Sequence, residues 1–365
     1  MMVNWKNKNI HFYFGNEYIR DFKQIWTNRI IFERILSKEV VKQIYIFIIR
    51  PGLGDNPFDI IKDKVIGKNY KIILWYVDVA DNVFNDKSFY HKETKNLVNS
   101  GEEVLVVSPE VYLNIKLPYK VINTYSMADS VLEQQRIDIK ILTLLFKRYE
   151  RCSFVRQKHF LSFNGHPKGH RIVLLSHILN NNLFEKFDIS FNSFFWNVDV
   201  NFEHLDEYNF EKFDTSILPL DLDLKKTTPY TSTFLNIVLY FHSYIDVITN
   251  SRFENDGIYI DEKIYKSFAC LKPFIVVGQY KTLEVLKEWG FKTFSSIFNE
   301  EYDNERNNVK RMNMICDELK RLGNLSLEEV DDMYWNIKDI LLYNFSHLGR
   351  FIHEIDKNLL KEVVK

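Results

Sequence analysis

The sequence predicts an α/β protein built as two domains, and three observations carry that prediction. Apolar runs of strand length alternate with polar stretches of helical length through the first 150 residues, and the same alternation restarts near Lys158. With 365 residues, 46% of them hydrophobic, the chain has enough apolar surface for two separate cores. Between the two patterns, Lys147 to Lys158 turns basic, and that change of composition marks the boundary.

In the first pattern, Ile10 to Phe14, Gln43 to Ile49, Lys71 to Val77 and Glu103 to Val107 read as strands. Each runs into turn chemistry: Gly15-Asn16, Pro51 to Asp55, Asp78 to Asn82, and Ser108-Pro109. Strands alternating with helical stretches predict a parallel sheet covered on both faces, with functional residues in the turns at the carboxyl ends of its strands. Asp55, Asp78 and Asp81 stand in such turns. Ser126 to Asp129 has the form of a capping box, and the apolar spacing from Val131 to Tyr149 predicts a helix of about five turns. That helix leads into Lys147, Arg148, Arg151, Arg156 and Lys158, opposed only by Glu150. The segment reads either as a solvated helix end and linker or as a phosphate-contacting patch.

The second pattern opens with HFLSFNG (159–165) as strand and turn, HRIVLLSHILNNN (170–182) as a helix and Asp188 to Phe195 as a strand. A polar, acidic stretch follows, then a helix from about Ser232 and a strand from Tyr244 to Thr249. GIYIDEKIYKSFACLKPFIVVG (257–278) is its central element: a short strand, the pair Glu262-Lys263, a helix, and a buried strand from Phe274 to Val277 ending at Gly278. Thr282 to Trp289 reads as a helix with Gly290 as its C-cap, FKTF (291–294) as a short strand, and Leu327 to Val364 as an amphipathic helical tail. The predicted organisation is therefore 1–150, 151–330 and a tail, 331–365.

A formal net charge of -1 gives no global electrostatic reason to bind nucleic acid and leaves a local basic patch open. Cys152, Cys270 and Cys316 lie far apart without metal-ligand spacing, which fits a reducing cytoplasm and no disulfide framework. The most apolar windows, Ile44 to Ile49 and Phe234 to Ile248, are too short to span a bilayer or are interrupted by His242 and Asp246, and MMVNWKNKN has no apolar signal core. A soluble, cytoplasmic protein is the expectation. The chain has no G-x-S-x-G elbow, no Cys–His arrangement, no G-x-G-x-x-G fingerprint and no Walker loop, so hydrolase and nicotinamide chemistry lose ground.

Three constellations remain. Asn164-Gly165-His166-Pro167-Lys168-Gly169-His170-Arg171 joins a strand to a helix; its glycines admit a ligand to the backbone, the helix start offers N–H groups, and Lys168, His170 and Arg171 add cationic donors. It reads as a diphosphate-binding turn or as a basic surface loop. Ser251-Arg252-Phe253 followed by Asp261-Glu262-Lys263 reads as a ribose and phosphate contact or as a solvated first turn. Asn299-Glu300-Glu301-Tyr302-Asp303, with Arg306 and Arg311 beyond, reads first as helix capping. Asp221-Leu-Asp223 has the letters of a metal motif in an irregular, Pro-flanked stretch; no metal is expected.

Taken in order, FLSFNGHPKGHRIVLLSHI, ITNSRF, IYIDEKIYKSFACLKPFIVVG, LKEWGFKTF and FNEEYDNERNNVKRM resemble a group of bacterial and phage proteins related to GT-B glycosyltransferases. The resemblance covers roughly residues 158 to 315. IDEK is also similar to the T-E-K motif of α-1,3-fucosyltransferases, in which Glu contacts the nucleotide ribose and Lys the diphosphate. It implies two Rossmann-like domains facing a cleft, with a C-terminal helix; an N-terminal domain that binds the acceptor; and a donor domain in which Glu262 and Lys263 take those roles. The family's phosphate-binding Arg falls on Arg171, and Lys168, His170, Asn164, Gly165, Arg252 and Tyr302 complete the donor set. Asp261 stands where the motif has Thr, and Ser251-Arg252 where relatives commonly have an acidic strand end.

The implied reaction is metal-independent transfer of a sugar from a nucleoside-diphosphate sugar to an acceptor hydroxyl, with no other cofactor, in a bacterial or phage-infected cytoplasm. Cationic groups stabilise the leaving diphosphate, and a carboxylate serves as base, Asp78 first, with Asp55 and Asp81 as the alternatives. The acceptor is a glycan or a hydroxylated (hydroxymethyl) base in phage DNA; the basic segment and the aromatic N-terminal domain suit the second. The competing reading is a nucleotide-sugar-binding or scaffold protein without turnover.

Overall fold

The computed structural model describes the chain apart from residues 1–9, 15–16, 19–31, 33, 36, 39, 41, 50–56, 65–69, 77–87, 112–116, 125–155, 196–197, 221–236 and 255–256. Asp55, Asp78, Asp81, the helix expected at Val131 to Tyr149, Lys147, Arg148, Arg151, Asp221 and Asp223 lie outside the described residues. The chain divides into two compact units: 1–130, 256–260 and 350–365 form the first, and 131–255 and 261–349 the second. Each is mixed α/β with a mainly parallel sheet, compatible with a Rossmann-like fold.

In the first unit, β1 (Ile10–Phe14), β2 (Glu17–Tyr18), β3 (Gln43–Ile49), β4 (Tyr70–Tyr76), β5 (Val104–Ser108) and β7 (Lys120–Asn123) form a sheet of order β2-β1-β3-β4-β5-β7. The pairs are parallel except for antiparallel β1–β2. Side chains alternate between its faces, as the period of a strand requires. Ile44, Ile46, Ile48, Ile73 and Trp75 enter one apolar cluster with Phe32, Ile35 and the C-terminal Leu359 and Val363. Phe47, Ile49, Ile72, Leu74 and Tyr76 enter the other. That second face is covered by α1 (Pro57–Lys64) and α2 (Phe89–Asn99) through Phe58, Ile61 and Leu97. Each fully buried aliphatic side chain contributes roughly 1.5–3 kcal/mol, so the last turns of the chain are part of this core.

In the second unit, β8 (Lys158–Asn164), β9 (Phe187–Phe191), β12 (Ser243–Thr249) and β14 (Phe274–Val277) form an all-parallel sheet of order β14-β12-β8-β9. α3 (Gly169–Asn180) joins β8 to β9, β10 (Phe194–Phe195) and β11 (Val198–Asp199) make a small antiparallel pair, and α4 (Ile237–His242) leads into β12. After β12, β13 (Ile258–Tyr259) pairs antiparallel with β6 (Glu110–Val111), so the GIYI end of the central stretch belongs to the first unit. The chain then returns to the second unit as α5 (Glu262–Ala269), β14, α6 (Thr282–Glu288) and α7 (Asn308–Gly323).

Gly290 follows α6 at φ +85°, the left-handed position that a helix C-cap asks of glycine. FKTF corrects a sequence expectation, because among the described residues it pairs with no strand. The Lys292 N–H donates to Asn344 Oδ1 at 2.8 Å and the Phe294 N–H to Glu300 Oε1 at 2.6 Å, so side chains take the backbone groups that a ladder would have used. The helical tail is two helices, α8 (Leu327–Asn336), started by a Ser326–Glu329 capping box, and α9 (Lys338–Val364), whose residues 350–365 belong to the first unit. Arg156 corrects both readings of the basic segment at its own position. It is buried, 4.1 Å from the Tyr334 ring centroid and 5.2 Å from that of Tyr244, and donates to the Tyr334 hydroxyl.

Candidate functional site

The second sheet reverses its strand order between β8 and β12. From β8 the chain adds β9 on one side, then crosses to add β12 and β14 on the other. The carboxyl end of such a reversal is where an open α/β sheet holds ligands. Asn164 ends β8 and Thr249 ends β12, and the Thr249 hydroxyl donates to Asn164 Oδ1 at 2.9 Å across it. The Asn164 amide also donates to the Ser190 carbonyl at 3.2 Å, so this side chain joins three strands.

On the β8 side, the turn into α3 keeps its cations close to the backbone after β12. Lys168, half-buried at the N-cap position of α3, donates from Nζ to the Ser251 carbonyl at 2.6 Å and does not cap that helix start with its side chain. Arg171 is buried at 4% exposure; Nη1 donates to the His166 carbonyl, and Nη2 to the carbonyls of Thr249 (3.1 Å) and Asn250 (3.2 Å). His170 Nε2 lies 3.0 Å from the Asn250 carbonyl, and its ring stacks on Phe253 at 5.5 Å. A Cβ on exposed Gly165 would meet nothing within 4 Å, whereas one on Gly169 would strike Leu205 at 2.7 Å. The first glycine borders open space, and the second serves packing.

On the β12 side, Asp261 is a fully buried N-cap. Its Oδ1 accepts from the Lys263 N–H at 3.1 Å and its Oδ2 from the Ser251 N–H at 3.2 Å, which ties the start of α5 to the segment after β12. The Asp261 carboxylate thus acts on the backbone. Glu262 follows half-buried, and Lys263, also half-buried, donates from Nζ to the Thr249 carbonyl at 2.6 Å. At the end of β14, a Cβ on Gly278 would come within 2.8 Å of Asn250 Nδ2, so only glycine admits that side chain.

Electrostatics follow from crowding cations in a desolvated place. Burial, with Arg171 adding to it, pushes the Lys263 ammonium down to about 8, and burial first, then Lys168, Arg171 and Lys263, pushes the half-buried His166 down to about 4. Burial lowers His170 well below the ordinary imidazole range, with Arg171 as the next cause. Burial raises Asp261, helped by Glu262 and opposed by Lys263 and Arg171. At pH 7 the two imidazoles are neutral, while Arg171 and Lys263 interact with Asp261 and Glu262 and Lys168 stands on the carbonyl of Ser251. Such a gathering of cations suits a ligand with adjacent anionic groups.

The remaining candidates serve other partners. Arg252 is buried beside these residues in sequence. The buried Tyr302 hydroxyl accepts from the Val276 N–H at 3.2 Å, on β14. Asp303 caps α6 by accepting from the N–H groups of Leu283 (2.9 Å) and Glu284 (3.1 Å), so capping holds for this segment, on a helix earlier in the chain. Sequence reasoning left Arg311 without a role. Its guanidinium, at 1% exposure, donates to the carbonyls of Gly278, Glu305, Arg306 and Phe253 and to Asn308 Oδ1, and sits 4.4 Å from the Phe253 ring centroid. It also passed over Thr249-Asn250-Ser251 as a carbonyl rack, whose only signal is a polar run directly after the apolar YIDVI.

Among the described residues, no group of three or more His, Cys, Asp or Glu is placed to hold a metal, and no helix is long and apolar enough to cross a membrane. Compared with protein families, curated proteins and solved structures, the chain shows no match.

Proposed function

We propose that this protein is a glycosyltransferase of GT-B type that takes a nucleoside-diphosphate sugar as donor, with the diphosphate at the strand reversal of the second unit. The observation that carries this reading is the convergence of Lys168, Arg171 and Lys263 on the carbonyls of residues 249–251. In the proposed reaction, the bond between the anomeric carbon and the β-phosphate oxygen breaks and its electron pair leaves with the nucleoside diphosphate. The acceptor oxygen bonds to the anomeric carbon and its proton passes to a base. Charge accumulates on the leaving diphosphate, and fixed cations beside it lower the barrier. Half-buried Glu262, at the first position of α5, is within the same turn as Lys263 and is the proposed ribose contact. The base is proposed among Asp78, Asp55 and Asp81.

The test is donor consumption across a panel of nucleotide sugars, with oligosaccharides and hydroxymethylated DNA as acceptors. The expected result is turnover or hydrolysis of at least one donor, abolished in Lys263→Ala. Full donor binding in that variant contradicts the site. Binding of a donor without its consumption under any acceptor favours the non-catalytic reading.

A further inference from the structure

The three cations of the site differ in what they are able to do, and the difference reassigns a role that the resemblance places on Arg171. Both terminal nitrogens of Arg171 are bonded to carbonyls of the fold, at 166, 249 and 250, and its Nε is shut away from any accessible surface. At 4% exposure, its bonded nitrogens join the α3 turn to the end of β12 and offer a phosphate oxygen little surface. Lys168 and Lys263 stand otherwise. Each is half-buried, each carries its ammonium on a flexible stem, and each donates to a carbonyl of the same three-residue segment, at 251 and 249. The anchoring residues are at most about 7 Å apart, so the two ammonium groups come from different helices to one short stretch of backbone. Gly165, with open space where a Cβ would stand, borders the same turn.

Resting on the proposed function, we infer that the diphosphate is held by Lys168 and Lys263 together, one from each side of the strand reversal, and that Arg171 is a positioning residue that fixes the 249–250 carbonyls. Two ammonium groups on separate helices suit two linked phosphates better than one. A nucleoside diphosphate or inorganic pyrophosphate therefore binds more tightly than the corresponding monophosphate, and the margin depends on both lysines.

The test is calorimetric titration of the full chain with uridine, guanosine, adenosine, cytidine and thymidine diphosphates, their monophosphates and inorganic pyrophosphate, at several salt concentrations. Lys168→Ala and Lys263→Ala should each weaken diphosphate binding about ten- to hundredfold, as losing one charge-assisted contact does. Each should also flatten the dependence of affinity on salt, because a cation facing the ligand has been removed. Arg171→Lys and Arg171→Gln should weaken binding while leaving the salt dependence as steep as in the wild type, since that charge does not face the ligand. Gly165→Ala should weaken binding with the melting temperature unchanged. Should Arg171→Gln not fold, Arg171→Lys and the two lysine variants decide the matter. A flattened salt dependence in the Arg171 variants together with an unaltered one in Lys168→Ala overturns the division of roles and leaves the diphosphate site standing. Wild-type protein that binds none of these ligands overturns the proposed function, and this inference with it.

Discussion

Both units set a lysine ammonium against a main-chain carbonyl, and they do so at opposite ends of their sheets. Lys71, the second residue of β4, donates to the Glu362 carbonyl near the C-terminus, with Glu103 3.6 Å away and Glu362 itself paired to Lys120. In the second unit, Lys168 and Lys263 reach carbonyls just past the carboxyl end of β12. The first contact lies at the amino end of β4, in a sheet whose parallel strands β1, β3, β4, β5 and β7 follow in simple chain order. The second lies at a reversal. The same hydrogen bond is thus a fastening for the last turn of the chain in one place and a feature of a ligand site in the other, and topology distinguishes them.

The largest effect expected is on folding of the second unit. Arg311→Met strips five acceptors, two of them tying Gly278 and Phe253 to the start of α7, and should lower stability by about 3–5 kcal/mol in urea unfolding. Next comes the first unit, where Leu359→Ala opens a cavity in the cluster that Ile46 and Trp75 share, costing about 2–5 kcal/mol in the same measurement. Lys71→Met sharpens the contrast directly: stability falls, while diphosphate affinity should stay at the wild-type value. An equal loss of affinity in Lys71→Met and Lys263→Ala breaks it.

How much of this was legible in the sequence depends on where the information was local. The strands at Ile10 to Phe14 and Gln43 to Ile49, and the buried strand ending at Gly278, are apolar runs closed by turn residues, and their bounds follow from those letters. The HPKGHR turn and the Glu262-Lys263 pair were legible as candidates for the same reason. What stayed hidden is non-local. Nothing near Arg171 announces that its Nη2 donates to carbonyls 78 and 79 positions away. Nor does FKTF, which has strand-like letters, reveal that Glu300 and Asn344 take its N–H groups. The closing role of Leu359 and Val363 in the first core was equally out of reach, because a helical period says which face is apolar and not which sheet it covers.

Two smaller effects complete the comparison. Burial lowers Lys263 to about 8, so raising the pH from 7 to 9 deprotonates it in the free protein, and diphosphate affinity should fall over that range. Lys263→Arg, which keeps its charge, should flatten that part of the profile; Lys71→Met should leave it unchanged. The smallest effect separates two glycines. Gly278→Ala, crowded by Asn250 at 2.8 Å, should cost about 1–3 kcal/mol, while Gly165→Ala should change stability by less than about 0.5 kcal/mol.

The claim that the reversal in the second sheet is the ligand site is tested most directly by hydrogen–deuterium exchange with and without a saturating nucleoside diphosphate. The account predicts slowed exchange in residues 165–171, 249–252 and 261–266, with the strands of the first sheet unchanged. Slowed exchange confined to the carboxyl ends of β3 and β4, with residues 165–171 unaffected, would contradict it.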